Sequence, residues 1–145
     1  MRLNTCSAII ALAREMEEGA AVFYENLAKT SPADAGYFLG LARENRKTAT
    51  NIERSYYGVI TDAIEGSFTF DMAADEYLMD FALPADYRAA LARAGEMEDK
   101  IIKFYRDAAR QSQSLLADIP RVLSLAARKR ETRKARLAAL GDEGR

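Results

Sequence analysis

The sequence predicts an all-α protein, a four-helix bundle made of two helical hairpins that are joined by a long crossover. Two observations support this prediction. Apolar residues recur every three or four positions over four long stretches, as expected for helices that bury one face. The second half of the chain also repeats a pattern of the first, because Glu15, Met16, Glu17, Phe23 and Tyr24 recur as Glu96, Met97, Glu98, Phe104 and Tyr105.

Composition indicates one domain, spanning residues 1–145, that is large enough to bury a core. Hydrophobic residues make up 49% of the chain and charged residues 30%, which argues against disorder and against a membrane span. The amino terminus has no secretory signal pattern and Cys6 is the single cysteine, so we expect a cytoplasmic protein without disulfides. The absence of histidine removes the usual general base and the usual imidazole ligand for metals.

The first helix is expected to begin near Asn4 or Ser7 and to run to about Thr30. Its inward face is apolar except at Glu17, and Glu98 has the equivalent inward position in the third helix. A buried carboxylate is unfavourable unless a cation, a metal ion or hydrogen bonds compensate it. The identity of the group that compensates these two acids is therefore the central functional question.

The second helix is expected to follow Ser31-Pro-Ala-Asp34, which combines a cap, a proline for the first turn and an early acid. Two polar residues one turn apart, Asn45 and Thr48, interrupt its inward stripe. The full predicted inward series is Phe38, Leu41, Asn45, Thr48, Ile52 and Val59.

The crossover is expected over about 61–83, with a short helix over 72–81 capped by Asp71 and with apolar side chains to bury. Those side chains are Phe68, Phe70, Tyr77, Leu78 and Phe81. A third helix is predicted from Pro84 to about Ala117. The fourth begins at Asp118-Ile-Pro120 and runs to Leu140, with Gly141 as its terminator and a short tail over 141–145. Four helices with two short connections and one long crossover define the ferritin-like form of the bundle.

The Glu-x6-Tyr elements from Glu17 and Glu98, with Phe38-Leu-Gly-Leu-Ala-Arg-Glu-Asn45 and Val122-Leu-Ser-Leu-Ala126, resemble rubrerythrin-type ferritin-like domains. The resemblance covers nearly the whole chain apart from the crossover. It implies a centre of two iron or other metal ions, held by a Glu on the first and third helices and a Glu-x-x-His pair on the second and fourth. Many such domains reduce peroxide or oxidise ferrous iron.

Under this resemblance, Glu17 and Glu98 retain ligand positions and the other four ligands are absent. Asn45 and Thr48 take the Glu and His positions of the second helix, and Lys129 and Thr132 take those of the fourth. Glu44 and Glu131 adjoin these positions, but one residue turns a side chain by about 100° around a helix. With one cysteine, the chain also lacks the four-cysteine rubredoxin-like iron centre that is common in this family.

We expect an internal salt bridge from Glu17, Glu98 or both to a base of the fourth helix, Lys129 or another, and the resemblance selects Lys129. Asn45 and Thr48 are then expected to complete hydrogen bonds in the core. A competing stripe on the fourth helix would instead turn Lys129 toward solvent. That stripe consists of Ile119, Leu123, Ala126, Arg130 and Leu137. The alternative to the salt bridge is a residual metal site of Glu17, Glu98 and Asn45, assisted by Thr48, Tyr24 or Tyr105, which would suit magnesium, calcium or manganese better than iron.

The expected function is a structural or protein-interaction role for a bundle that has lost its dinuclear metal centre, with no catalytic residue and no cofactor. The alternative is an iron- or peroxide-handling oxidoreductase that uses an unconventional carboxylate site for iron or another divalent metal. A third reading is a pseudoenzyme that regulates an active relative by pairing with it. The expected partner is a second copy or a related ferritin-like protein. The basic stretch over 128–136 is interpreted as a solvated helical face, with nucleic acid, anionic lipid or an acidic protein as its alternative partners.

Overall fold

Four long helices dominate the computed structural model, which describes residues 2–59, 69–113 and 118–143. They are α1 (Cys6–Thr30), α2 (Ala35–Val59), α3 (Tyr87–Gln111) and α4 (Asp118–Glu143). The all-α prediction is confirmed. In the described part of the chain, no helix has an apolar stretch of the length that a membrane crossing requires.

Side-chain caps fix where two of the helices begin. The hydroxyl of Thr5 accepts a 3.1 Å hydrogen bond from the amide of Ala8, so Thr5, and not Asn4 or Ser7, caps α1. The carboxylate of Asp86 accepts a 2.9 Å bond from the amide of Ala89, which starts α3 three residues later than Pro84.

The predicted ends of the second hairpin's helices need correction. Helix α3 ends at Gln111, and residues 114–117 of its predicted extent lie outside the described chain. Helix α4 begins at Asp118 as predicted, with Pro120 in the first turn, where a missing amide is tolerated. It continues through Gly141 to Glu143, so Gly141 does not terminate it and the described part of the predicted tail is helical.

The helices pair as two antiparallel hairpins. A turn of 3-10 helix over Pro32–Asp34 joins α1 to α2, and Arg46 of α2 contacts Glu18 and Glu25 of α1 at 3.1 and 2.7 Å. In the second hairpin, Lys134 of α4 lies 2.5 Å from Asp99 of α3. The two hairpins meet where α2 packs on α4 and α1 packs on α3.

The crossover contains a strand where a helix was predicted. Strand β2 (Met72–Ala73) pairs antiparallel with β1 (Arg2–Leu3), and a 3-10 turn over Ala74–Tyr77 follows. The side chain of Gln111 also donates to the carbonyl and accepts from the amide of Asp71, at 2.9 and 2.7 Å. The short helix over 72–81 was therefore wrong, because other partners take the backbone groups that a helix would use.

Among the apolar side chains of the crossover, Phe70 and Tyr77 are buried as expected, whereas Leu78 is exposed. Phe81 packs so closely on α1 that a Cβ at Gly19 would lie 2.5 Å from its ring. Glycine is thus required there by close approach. Phe68 and the rest of the predicted crossover up to residue 68 lie outside the described residues.

Candidate functional site: a buried cluster of acids, arginines and tyrosines

Glu17 and Glu98 are completely buried at the centre of the bundle, as predicted. Each lies on the inward face of the first helix of its hairpin, which it shares with buried apolar residues three or four positions away. Two carboxylates in such a space require compensation, and the structure identifies the groups that supply it.

Arg130 of α4 lies between the two acids and is itself 2% exposed. Its Nη1 donates to both carboxylate oxygens of Glu98, at 2.7 Å each. Its Nη2 donates to both oxygens of Glu17, one of them at 2.5 Å. One planar guanidinium therefore binds two carboxylates, which matches the fork geometry that makes arginine suited to buried ion pairs.

Each of the two repeated tyrosines binds the acid of the other repeat. Tyr24 of α1 donates a 2.6 Å hydrogen bond to Glu98, and Tyr105 of α3 donates a 2.8 Å bond to Glu17. Both tyrosines are fully buried. Each acid thus accepts from Arg130 and from the tyrosine of the other repeat, so its lone pairs are largely satisfied.

Arg133, one turn after Arg130, completes the cluster. Its Nη1 donates to the side-chain oxygen of Asn45 at 2.5 Å and to Glu98 at 3.3 Å. The guanidinium lies over the ring of Tyr24, 5.7 Å from its centroid. Asn45 is fully buried, and its side-chain nitrogen has no hydrogen-bond partner within the described chain.

The charges of the cluster balance, since Glu17 and Glu98 oppose Arg130 and Arg133 in a region shielded from water. Burial alone would lower the pKa of Arg130, but the two carboxylates outweigh it and raise that pKa well above its usual value. Burial, reinforced by the charge of the bound acid, raises the pKa of both Tyr24 and Tyr105 well above the usual value. The positive charge of Arg130 and the neutral form of both phenols are therefore stable over the ordinary pH range.

The prediction that Lys129 compensates the acids was wrong, and the compensating group is another base of the fourth helix, Arg130. Lys129 is exposed, and so is Thr132, whose hydroxyl donates to the carbonyl of Arg128 at 3.5 Å. Thr48 is only half-buried, so Asn45 alone among the four presumed former-ligand positions enters the cluster. Glu44 and Glu131 contact Arg133 and Arg106 at the outer side of the helices and do not reach the two buried acids.

The competing stripe of α4 correctly marks the face of this helix that is turned toward the core. Its five members are all buried, and Arg133 continues it. Placing Lys129 and Thr132 at the ligand positions that the resemblance implies shifts the expected register of α4 by one residue, which turns its expected inward face by about 100°. The apolar periodicity of α4 agrees with the observed burial, whereas the placement of Lys129 does not.

The donor set does not fit a dinuclear metal centre. In the described ranges, no three residues among the cysteines, aspartates and glutamates are grouped so that they could hold a metal ion. The two central carboxylates already bind a guanidinium, whose positive charge would repel a metal cation at the same place. The side-chain oxygen of Asn45 is likewise engaged by Arg133.

The basic stretch over 128–136 is divided between core and surface. Arg130 and Arg133 are buried, and Lys134 pairs with Asp99. The exposed cations of the stretch are Arg128, Lys129, Lys134 and Arg136.

Comparison with models of protein families, with curated proteins and with solved structures found no significant match to this chain.

Proposed function

We propose that this protein is a rubrerythrin-like, ferritin-like bundle in which arginine has replaced the dinuclear metal centre, and that its role is structural or in protein interaction. The observation that carries the proposal is the position of Arg130 between Glu17 and Glu98. In the family that the sequence resembles, the equivalent acids bind metal ions. Here the guanidinium of Arg130 contacts both acids and supplies positive charge of the kind that a metal ion would provide.

The spacing of the two arginines also supports the proposal. Arg130 and Arg133 are separated by three positions, which is the spacing of the Glu-x-x-His pair that the resemblance implies for the fourth helix. With the register of α4 corrected by one residue, both ligand positions of this helix hold arginine. On the second helix, the equivalent pair is Asn45 and Thr48, neither of which carries a negative charge.

The alternative function, an iron- or peroxide-handling oxidoreductase, requires the guanidinium of Arg130 to leave the two carboxylates. Removing one partner of a buried ion pair is strongly unfavourable, on the order of 3 to 5 kcal/mol. A divalent ion would have to offset that loss and also bind beside Arg133. The geometry therefore favours the role without metal redox chemistry.

Partners are proposed on the resemblance alone. We propose that the bundle pairs with a second copy of itself or with a related ferritin-like protein. Sedimentation equilibrium of the purified chain tests the first of these directly. A dimer is the expected result, and a monomer at all concentrations would leave only the pairing with a relative.

Metal content and activity test the central part of the proposal. The protein is purified without a histidine tag, incubated with excess Fe²⁺ or Mn²⁺, desalted and analysed for metal. We expect no stoichiometric metal, and ferroxidase and peroxidase rates equal to those of a protein blank. Saturable turnover that Glu17→Gln abolishes would overturn the proposal in favour of the oxidoreductase.

A further inference from the structure

A groove lies between α2 and α4 on the outer side of the buried cluster. Its narrow end has a volume of about 90 Å³ and includes Lys47, Thr48 and Asn51 of α2. Its wide end has a volume of about 430 Å³ and includes Tyr37 and Leu41 of α2. Glu44, Lys129 and Arg133 line both ends, so the two spaces adjoin at these residues.

The lining of the groove is positively charged although the whole chain has a net charge of −1. Arg130 and Arg133 are neutralised by Glu17 and Glu98 inside the bundle. Three further cations, Lys47, Lys129 and Arg136, then face a single acid, Glu44. The groove therefore has an excess of positive charge that attracts anions.

Arg133 gives the groove a fixed donor at the point where its two ends meet. Its side chain is 7% exposed and is held by Asn45 and Glu98 through Nη1. Its Nη2 points outward to Glu44, whose side chain is 61% exposed and lies 3.3 Å away. An ion pair with so exposed a carboxylate contributes little free energy, so a more strongly charged anion can displace Glu44 from Arg133.

The two ends of the groove differ in chemistry. The narrow end has room for about three water molecules, and so for one tetrahedral oxyanion, among ammonium, hydroxyl and amide donors. The wide end adds an aromatic ring and an aliphatic side chain, and Arg136 lies over the ring of Tyr37 at 5.7 Å. A ligand with a charged head and an apolar body would satisfy both ends.

We infer that this groove is a binding site for a small organic phosphate. The phosphate group accepts hydrogen bonds from Arg133 and Lys129 and displaces Glu44 from Arg133, while the apolar body of the ligand packs on Tyr37 and Leu41. Phosphate binding in this groove does not depend on the role of the buried acids, because the residues that would contact the ligand lie on the outer side of α2 and α4.

Calorimetric titration of the full chain with inorganic phosphate and with phenyl phosphate, at constant pH and ionic strength, tests the inference. We expect one site for each, with phenyl phosphate bound about tenfold more tightly because its ring is buried. Tyr37→Ala should remove that advantage and leave the affinity for inorganic phosphate unchanged. Absence of saturable binding of either probe up to about 10 mM would overturn the inference.

Three variants at exposed positions separate a site from general charge attraction. Lys129→Gln should weaken phosphate binding about fivefold, whereas Arg128→Gln, the same charge change one residue away and outside the groove lining, should change it less than about twofold. Glu44→Gln should strengthen binding about threefold, because it removes the competing carboxylate. Equal weakening by Lys129→Gln and Arg128→Gln, or weaker binding in Glu44→Gln, would contradict the assignment.

Discussion

The phenol of Tyr24 lies 2.6 Å from the carboxylate of Glu98, so the tyrosine of the first repeat satisfies the acid of the second. Tyr105 and Glu17 form the reciprocal pair at 2.8 Å. Because each of these bonds joins α1 to α3, the repeated motif ties the two hairpins together through polar contacts as well as apolar packing. Arg130 closes this arrangement by binding both acids from α4.

Arg130→Ala should destabilise the protein by about 3 to 5 kcal/mol, because it strands two buried carboxylates. Chemical denaturation measures the change. Lys129→Ala, at the neighbouring exposed position, serves as the matched control and should change stability by less than about 0.5 kcal/mol.

Neutralising the acids should rescue the loss of the arginine. The triple variant Arg130→Met, Glu17→Gln, Glu98→Gln is expected to be markedly more stable than Arg130→Met alone, since no unpaired charge remains in the core. If the triple variant were no more stable than the single one, lost packing and not stranded charge would explain the cost of removing Arg130.

Tyr24→Phe and Tyr105→Phe should each cost about 1.5 to 3 kcal/mol, the usual range for a hydrogen bond to a buried charged group. The two values should be similar because each bond joins a fully buried phenol to a fully buried carboxylate. Tyr57→Phe, at a side chain that is 73% exposed, is the control and should be close to neutral. A near-neutral Tyr24→Phe would show that this hydrogen bond does not stabilise the acid.

Stability should fall steeply above pH 10. Burial raises the pKa of Tyr24 and Tyr105 in the folded protein, so above the unfolded value of 10.0 the unfolded chain releases protons that the folded chain keeps. Each tyrosine then reduces the free energy of unfolding by about 1.4 kcal/mol per pH unit until its folded pKa is reached. Below pH 10 this contribution is fully present.

Denaturation of the wild type and of Tyr24→Phe between pH 9 and 11 isolates one of these groups. The slope of unfolding free energy against pH above 10 should be shallower in the variant, by about 1.4 kcal/mol per unit. Identical slopes would mean that Tyr24 ionises equally well in the folded and unfolded chain.

Gly19→Ala and Gly95→Ala form a matched pair in the interiors of α1 and α3. A Cβ at Gly95 meets nothing within 4 Å, so alanine should stabilise the protein by about 0.5 to 1 kcal/mol through helix propensity. A Cβ at Gly19 meets the ring of Phe81 at 2.5 Å, and we expect a net loss of about 1 to 3 kcal/mol as the crossover shifts. Equal stabilisation by both variants would contradict the packing of Phe81 on α1.

Periodicity predicted the helices and the burial of Glu17 and Glu98, because one face of each helix is plainly apolar. It did not predict strand β2, whose partner β1 is distant in the chain and only two residues long. The error at Lys129 had another origin. The sequence of α4 is compatible with two inward faces, one with Lys129 and one with Arg130. Arginine is seldom buried, so the pattern alone did not favour the face that contains Arg130. The contact of its guanidinium with the two buried acids identifies that face as the inward one.

Anomalous diffraction from crystals grown with excess Mn²⁺ tests most directly whether Arg130 takes the place of the metal ions. We predict no anomalous peak between Glu17 and Glu98, and continuous density for the guanidinium of Arg130 in contact with both carboxylates. A manganese peak coordinated by the two carboxylates, with Arg130 displaced, would contradict the account.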